Sequence, residues 1–256
     1  MLFLKIIIVP FFILLVTLAG RKWGTKVAGI LGGMPVVAGP IVVLLAVEQG
    51  QKFGIHAATS AIISVIPLLV FGIIYCWMSL KFNWVITLIT ATLSWLLVAN
   101  ILILISLNLV SALCLTFSSL WIAPQILPQN FSVRSLSSKS NDLVWRLIAG
   151  ALLTVTITQS ALQLGERWSG MLAVFPVIGS ILAVFTHRSQ GTENVTLLYR
   201  GMMRGLYSLV SFFCILAFTW GNLNFWLAVM ISIITAILIQ IIIQIRLFFM
   251  IKKTSL

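Results

Sequence analysis

Arg200 and Arg204 stand four residues apart inside a long apolar run of a 256-residue chain. That spacing puts both guanidiniums on one face of a helix, one turn apart, and such a pair suits a carboxylate or a phosphate. Ionisable groups at membrane depth are costly to bury and mark functional positions by default. The competing reading is that both side chains reach anionic headgroups at the inner surface. Glu48 is the one acid close to a cluster of helix-disrupting residues, Gly29, Gly32, Gly33, Pro35, Gly39 and Pro40. It can accept a coupling proton, or pair with Lys52 as a solvated loop ion pair. His56 and His187 fall at the ends of apolar runs, where a lone His is more often a polar anchor than a proton carrier. Gln159/Gln163 and Gln240/Gln244 are i,i+4 pairs that suit bonds between helices or the lining of a path.

Other chemistries find no support in the residues. The four acids, Glu48, Asp142, Glu166 and Glu193, are scattered, so no pair is set for general acid/base work. No Ser/His/Asp arrangement, His/Cys metal cluster or phosphate-cradling Gly-Lys-Ser loop is present. Cys76, Cys114 and Cys214 sit in apolar runs at unrelated spacings and read as packing residues. The expectation is a protein that is not an enzyme and carries no cofactor or metal.

The elements that must position these groups follow from composition. Hydrophobic residues make up 61% of the chain and charged residues 8%, with 16 Lys+Arg against 4 Asp+Glu, a net charge of +12. A soluble domain carries charge on about a quarter of its residues, and a nucleic-acid binder needs a polar surface this chain lacks. The solvent is therefore lipid, and membrane lipids are its obligatory partners. Crossing a bilayer takes about 17–25 apolar residues as helix. Nine runs qualify, roughly 3–19, 27–47, 54–79, 84–105, 109–127, 144–164, 170–187, 195–220 and 225–249. The fold class is all-α, a polytopic membrane protein. The uncharged stretch from Asn83 to Pro124 would be about 60 Å long as one helix, so a turn is expected inside it, near Ser106–Asn108.

With nine spans, Lys5, Lys52 and Arg167 fall on one face and the other thirteen basic residues on the opposite face. By the positive-inside rule the N-terminus is outside and the C-terminus cytoplasmic. The first span has some features of a signal peptide, but Arg21, Lys22 and Lys26 follow it at once and would resist export, so it reads as retained. The Ser-rich stretch from Pro128 to Asp142 reads as a cytoplasmic linker. Trp23, Trp84, Trp121, Trp145, Trp168 and Trp220 sit near span ends as a belt of interfacial anchors.

Shifting the chain on itself by 141 residues aligns 29–84 with 170–225 without gaps, with eleven of 56 positions identical. The non-apolar matches carry the weight: Gly29 with Gly170, Pro35 with Pro176, Gln49-Gly50 with Gln190-Gly191, and Asn83 with Asn224. Two four-span units result, 1–108 and 144–256, joined by a fifth span and the linker in 109–143. An odd number of spans between equivalent points turns the second unit upside down, the inverted-repeat plan of many secondary transporters. Pro35 and Pro176, with Gly39 and Gly179 beside them, then mark broken helices at a central site, with Arg200 and Arg204 as further substrate contacts. The alternative is that the glycines allow close packing and the prolines only bend their helices.

At these residues the sequence resembles the GlpM-like bacterial inner-membrane proteins, chains of about one such unit. Gly170–Pro176 (GMLAVFP), Gly191 with Glu193, Glu48 with Gly50, and Ser64–Pro67 (SVIP) are similar to that family's segments, whereas Gly205 and Ser208 stand where the first unit has Ser64 and Pro67. The resemblance implies fold and an inner-membrane location and brings no reaction with it. The sequence thus points to a secondary carrier or lipid-linked flippase for a small or lipid-attached anion, as a monomer or homodimer without nucleic acid. A non-transporting assembly or scaffold subunit of an envelope-synthesis complex is the alternative.

Overall fold

In the computed structural model of the chain the described residues are 2–105, 107–129 and 142–254; of these, 2–6, 8, 158, 160–167, 169, 170 and 247–254 are described by backbone alone. Every regular element among them is helical: α1 (Leu2–Trp23), α2 (Thr25–Gly33), α3 (Ala38–Gln49), α4 (Gln51–Ile63), α5 (Val65–Ser79), α6 (Trp84–Leu104), α7 (Leu109–Ile126), α8 (Leu143–Ala173), α9 (Val177–Gln190), α10 (Thr192–Thr219) and α11 (Phe225–Thr254). Helices are what lipid demands, because backbone groups facing hydrocarbon must be bonded within their own segment. Among the described residues seven stretches are long and apolar enough to cross a membrane: Thr25–Gln49, Gln51–Ser79, Trp84–Leu104, Leu109–Ile126, Met171–Gln190, Thr192–Thr219 and Phe225–Arg246. The other two expected spans, 3–19 and 144–164, fall on α1 and α8, parts of which are described by backbone alone. The turn expected near Ser106 lies between α6 and α7, with Ser106 itself outside the described residues, as is most of the Ser-rich linker.

Both register-matched prolines interrupt their spans and do not merely bend them. Residues 34–37 separate α2 from α3 around Pro35, and residues 174–176 separate α8 from α9 at Pro176, where the missing proline N–H and the ring clash favour a break, although Pro10 and Pro124 are accommodated inside α1 and α7. A third, milder break falls at Ser64, between α4 and α5. Pro67 there has no N–H for the Ile63 carbonyl, and beside it the Ile62 carbonyl accepts from the Thr116 hydroxyl of α7 (3.1 Å), which ties the break to its neighbouring helix. The sequence places a boundary between 164 and 170. Helical hydrogen bonding instead carries across Gly165 to Ala173, because a glycine keeps the amide donor that a proline loses.

Some connections are single residues. Gly24, Gly50 and Gly191 have φ of 91°, 94° and 82° and each stands alone between two helices. Only glycine holds that conformation without strain. Small residues flank two of these turns, Gly20 against Ala28 and Ala46 against Gly54, so each helix pair folds back on itself in close contact. Asn83 caps α6, its side chain accepting from the amides of Val85 and Ile86 (3.1 Å each), and Asn224 accepts from Trp226 (3.1 Å).

Packing centres on α10, most of whose length is buried. Its Gly201 and Gly205 meet Gly29 and Gly33 of α2 so closely that a Cβ on any of the four would strike the backbone of the other helix. This is small-residue interlocking of the kind that brings membrane helices together. It settles the role of Gly29 and Gly33 as packing positions. The outward faces of α6, α7 and α11 carry exposed Leu, Ile and Val, as a lipid-facing surface does. We expect Gly205→Ala to destabilise the protein by about 2 kcal/mol or more, whereas Gly221→Ala, with nothing within 4 Å, should be neutral; thermal unfolding in detergent compares the two.

Candidate functional site

The two proline breaks converge. Met34, Val37 and Ala38 from the first and Ala173–Gly179 from the second line one central cavity of about 40 Å³, closed on the α10 side by Met202, Leu206 and Leu209. Phe175 stands edge-on to the buried Trp95 of α6 (4.9 Å). The half-helices α3 and α9 both begin here, and neither Val37 nor Pro176 supplies a side-chain cap. Of their opening amides, Gly39 donates to the Pro35 carbonyl (2.9 Å) and Val177 to the Phe175 carbonyl (2.7 Å), and Pro40 has none, which leaves those of Ala38, Ile178 and Gly179 as the backbone donors beside a cavity otherwise walled by apolar side chains. A volume of this size holds a water or two and is well below that of a ligand pocket.

Of the expected site residues, Pro176 and Gly179 line this cavity, and Pro35 lies in the break that forms its other wall. Gly39 faces elsewhere, its absent Cβ making room for the Phe212 ring at 3.2 Å. Arg200 and Arg204 do not line the cavity. They sit on the far side of α10 from Met202 and Leu206, since two residues along a helix is more than half a turn. Arg200 donates to the Pro128 carbonyl at the end of α7 (2.8 Å). Glu48 is exposed near the end of α3, about 15 Å of helix beyond Ala38, so it takes no part in the cavity. His56 is exposed and borders a separate recess of about 330 Å³ with Thr59, Asn108 and Met171. His187 packs edge-on to Tyr75 (6.1 Å). Trp220, expected as an interfacial anchor, is 1% exposed; its ring stacks on Phe225 (5.2 Å) and its carbonyl accepts from Gln51.

The residue contacts separate into two ends. Arg21 and Arg146 both engage Asp142 (3.4 and 2.8 Å), and Thr25 donates to Gln190 (3.1 Å); Arg188 lies over Trp84 and Trp77 donates to Ile126. At the opposite end Gln51 meets Trp220, and His56 lies near Asn108. Basic side chains thus gather with one another across several helices. Arg146 is the group that sequence reasoning missed here. Four residues after Asp142 on one helix face, it is 6% exposed and stacks on Phe185 (5.0 Å). The i,i+4 acid-to-base spacing was the available signal.

No family model, curated protein or solved structure matches the chain. The class defined by fold and site is thus a multi-pass membrane protein with broken helices around a central cavity, and its function is read from its own residues. Among them the Arg146–Asp142 pair is directly testable. Asp142→Asn leaves a buried guanidinium without its counter-charge and should destabilise the protein by about 3 kcal/mol. Arg21→Gln removes a partner that is 41% exposed and should change stability by less than about 1 kcal/mol. Thermal melts of the two variants check the contrast.

Proposed function

We propose that the chain is a secondary transporter or lipid-linked flippase that works by alternating access between two inverted units, 1–108 and 144–256. The observation that carries this reading is the meeting of two proline-broken helices at one cavity, where half-helix N-termini serve transporters as sites for anionic groups. Two further matches at the same 141-residue offset as the Pro35 and Pro176 breaks support the two units: the positive-φ turns at Gly50 and Gly191, and the asparagines Asn83 and Asn224 at the start of α6 and α11. The likeness of 64–67 and 170–176 to GlpM-like segments agrees with two such units. On this reading the small cavity marks the point that would open alternately to either face. An anionic substrate would be met by the amides of Ala38, Ile178 and Gly179, since those of Gly39 and Val177 already donate to the Pro35 and Phe175 carbonyls. The positive-inside rule puts the basic end in the cytoplasm of a bacterial inner membrane, with the N-terminus outside.

The alternative, a non-transporting assembly or scaffold subunit, draws on the tight glycine packing and the apolar cavity wall. Transport separates the two. In vesicles, Gly179→Leu, whose Cβ would press on the Met202 tip at the cavity wall, should cut movement of a labelled anion at least about tenfold, with membrane insertion measured alongside. Pro35→Ala and Pro176→Ala should each reduce it. Wild-type rates in all three variants would defeat the carrier mechanism, and a co-purifying partner without any transported substrate would favour the scaffold. Orientation has its own check: reporters fused after Gly50 and after Ser138 should read outside and inside, and the reverse would overturn the inverted arrangement.

A further inference from the structure

The face of α10 turned away from the cavity carries buried polar atoms without hydrogen-bond partners, although one end of the Arg200 guanidinium donates to the Pro128 carbonyl (2.8 Å). The Ser208 hydroxyl donates to the Ala236 carbonyl of α11 (2.9 Å), and Trp220 stacks on Phe225 at the turn. Together these contacts set the antiparallel register of the two helices. Four residues further from the turn, Arg204 comes opposite Gln240; four more, and Arg200 comes opposite Gln244. Gln240 continues the buried stripe of Ala228, Ser232 and Ala236 and is 7% exposed. Arg200 Nε, Arg204 Nη1, Gln240 Nε2 and Oε1, and Gln244 Nε2 are all buried and without a hydrogen-bond partner. Five such atoms, which the helix register sets at matching levels of two packed helices, are more than native interiors usually leave unpaired, since each forfeits its hydration. Lys26 adds a third cation: its backbone abuts Gly201, and its ammonium lies within electrostatic range of Arg204. Asp142, an acid at this end, is engaged by Arg21 and Arg146. Glu193 opens α10 two turns before Arg200, about 10 Å along the axis.

We propose that this cluster binds the phosphate of a glycerol-phosphate ester. Two guanidiniums and two amide groups approaching from different helices match the several oxygens of a tetrahedral anion better than the flat pair of a carboxylate. The one acceptor among the unpaired atoms, Gln240 Oε1, is served by a ligand hydroxyl, which a glycerol-phosphate group carries and a bare anion does not need. The chemistry fits both a phosphatidylglycerol headgroup, entering from the basic end, and a soluble glycerol phosphate. The inference goes beyond the transport reading and does not depend on it, because the cluster lies on the other face of α10 and requires nothing to cross the membrane.

The test titrates the detergent-solubilised full chain with short-chain phosphatidylglycerol, with glycerol 3-phosphate, and with short-chain phosphatidylcholine, reading tryptophan fluorescence. Wild type should bind phosphatidylglycerol at least about tenfold tighter than phosphatidylcholine. Arg204→Gln should weaken that binding about tenfold, and Gln240→Leu, close in volume and suited to the apolar stripe, about fivefold. Competition by glycerol 3-phosphate would assign the site to the soluble ester, and its failure to compete would assign it to the lipid. Equal binding of both lipids with none of glycerol 3-phosphate, or wild-type affinity in both variants, would overturn the proposal. Should Arg204→Gln fail to fold, Gln240→Leu decides alone: higher thermal stability with unchanged binding would show a buried polar defect and no site.

Discussion

The contact on which the rest of this structure depends is the meeting of two backbones, Gly29 and Gly33 of α2 against Gly201 and Gly205 of α10. Lipid tails are as apolar as leucine, so helices in a membrane gain little from hiding apolar surface from one another. What holds them is the sum of short-range contacts, and that sum is largest where no side chain keeps the backbones apart. Because α2 ends at Gly33, the interlock stops at the start of the Pro35 break. One side of the cavity is thereby fixed to α10, and the chain beyond Pro35 begins a new helix from a held point.

That anchoring gives α10 two unlike flanks. Met202, Leu206 and Leu209 close the cavity with apolar atoms, while Arg200 and Arg204 carry charge on the other side, next to α11. A helix that is buried along most of its length and still carries two arginines must find partners for them away from its packed faces. The cavity contributes backbone amides and shape, and the arginine flank contributes formal charge. The two flanks are chemically distinct although they share one helix.

Much of this architecture is legible in the residues. Span lengths follow from hydropathy, and Pro35 and Pro176 break their helices through the missing donor and the ring, whereas Pro10 and Pro124 stay inside the continuous α1 and α7, so a proline marks a candidate break that its surroundings decide. Asn83 caps α6 for a local reason. Less legible are features set by tertiary partners. Glycine in a membrane span reads equally as a break or a contact, and only the position of α10 decides for Gly29 and Gly33. Trp220 has the composition of an interfacial anchor, yet Phe225 and Gly54 bury it. The Arg200/Arg204 and Gln240/Gln244 pairs are visible separately; their apposition needs the register of the α10–α11 hairpin, which no single helix encodes.

The one-residue turns at Gly24, Gly50 and Gly191 restrict how this molecule is able to move. One residue reaches at most about 3.5 Å, less than the 8–10 Å between packed helix axes. Helices joined in this way have no slack and must tilt as a pair: α1 with α2, α3 with α4, and α9 with α10. Bending is left to the places where helical hydrogen bonds are already missing, residues 34–37 and 174–176, with a smaller contribution at Ser64. Any movement of the spans would therefore carry whole hairpins and bend within the spans, away from the loops where flexibility is usually sought.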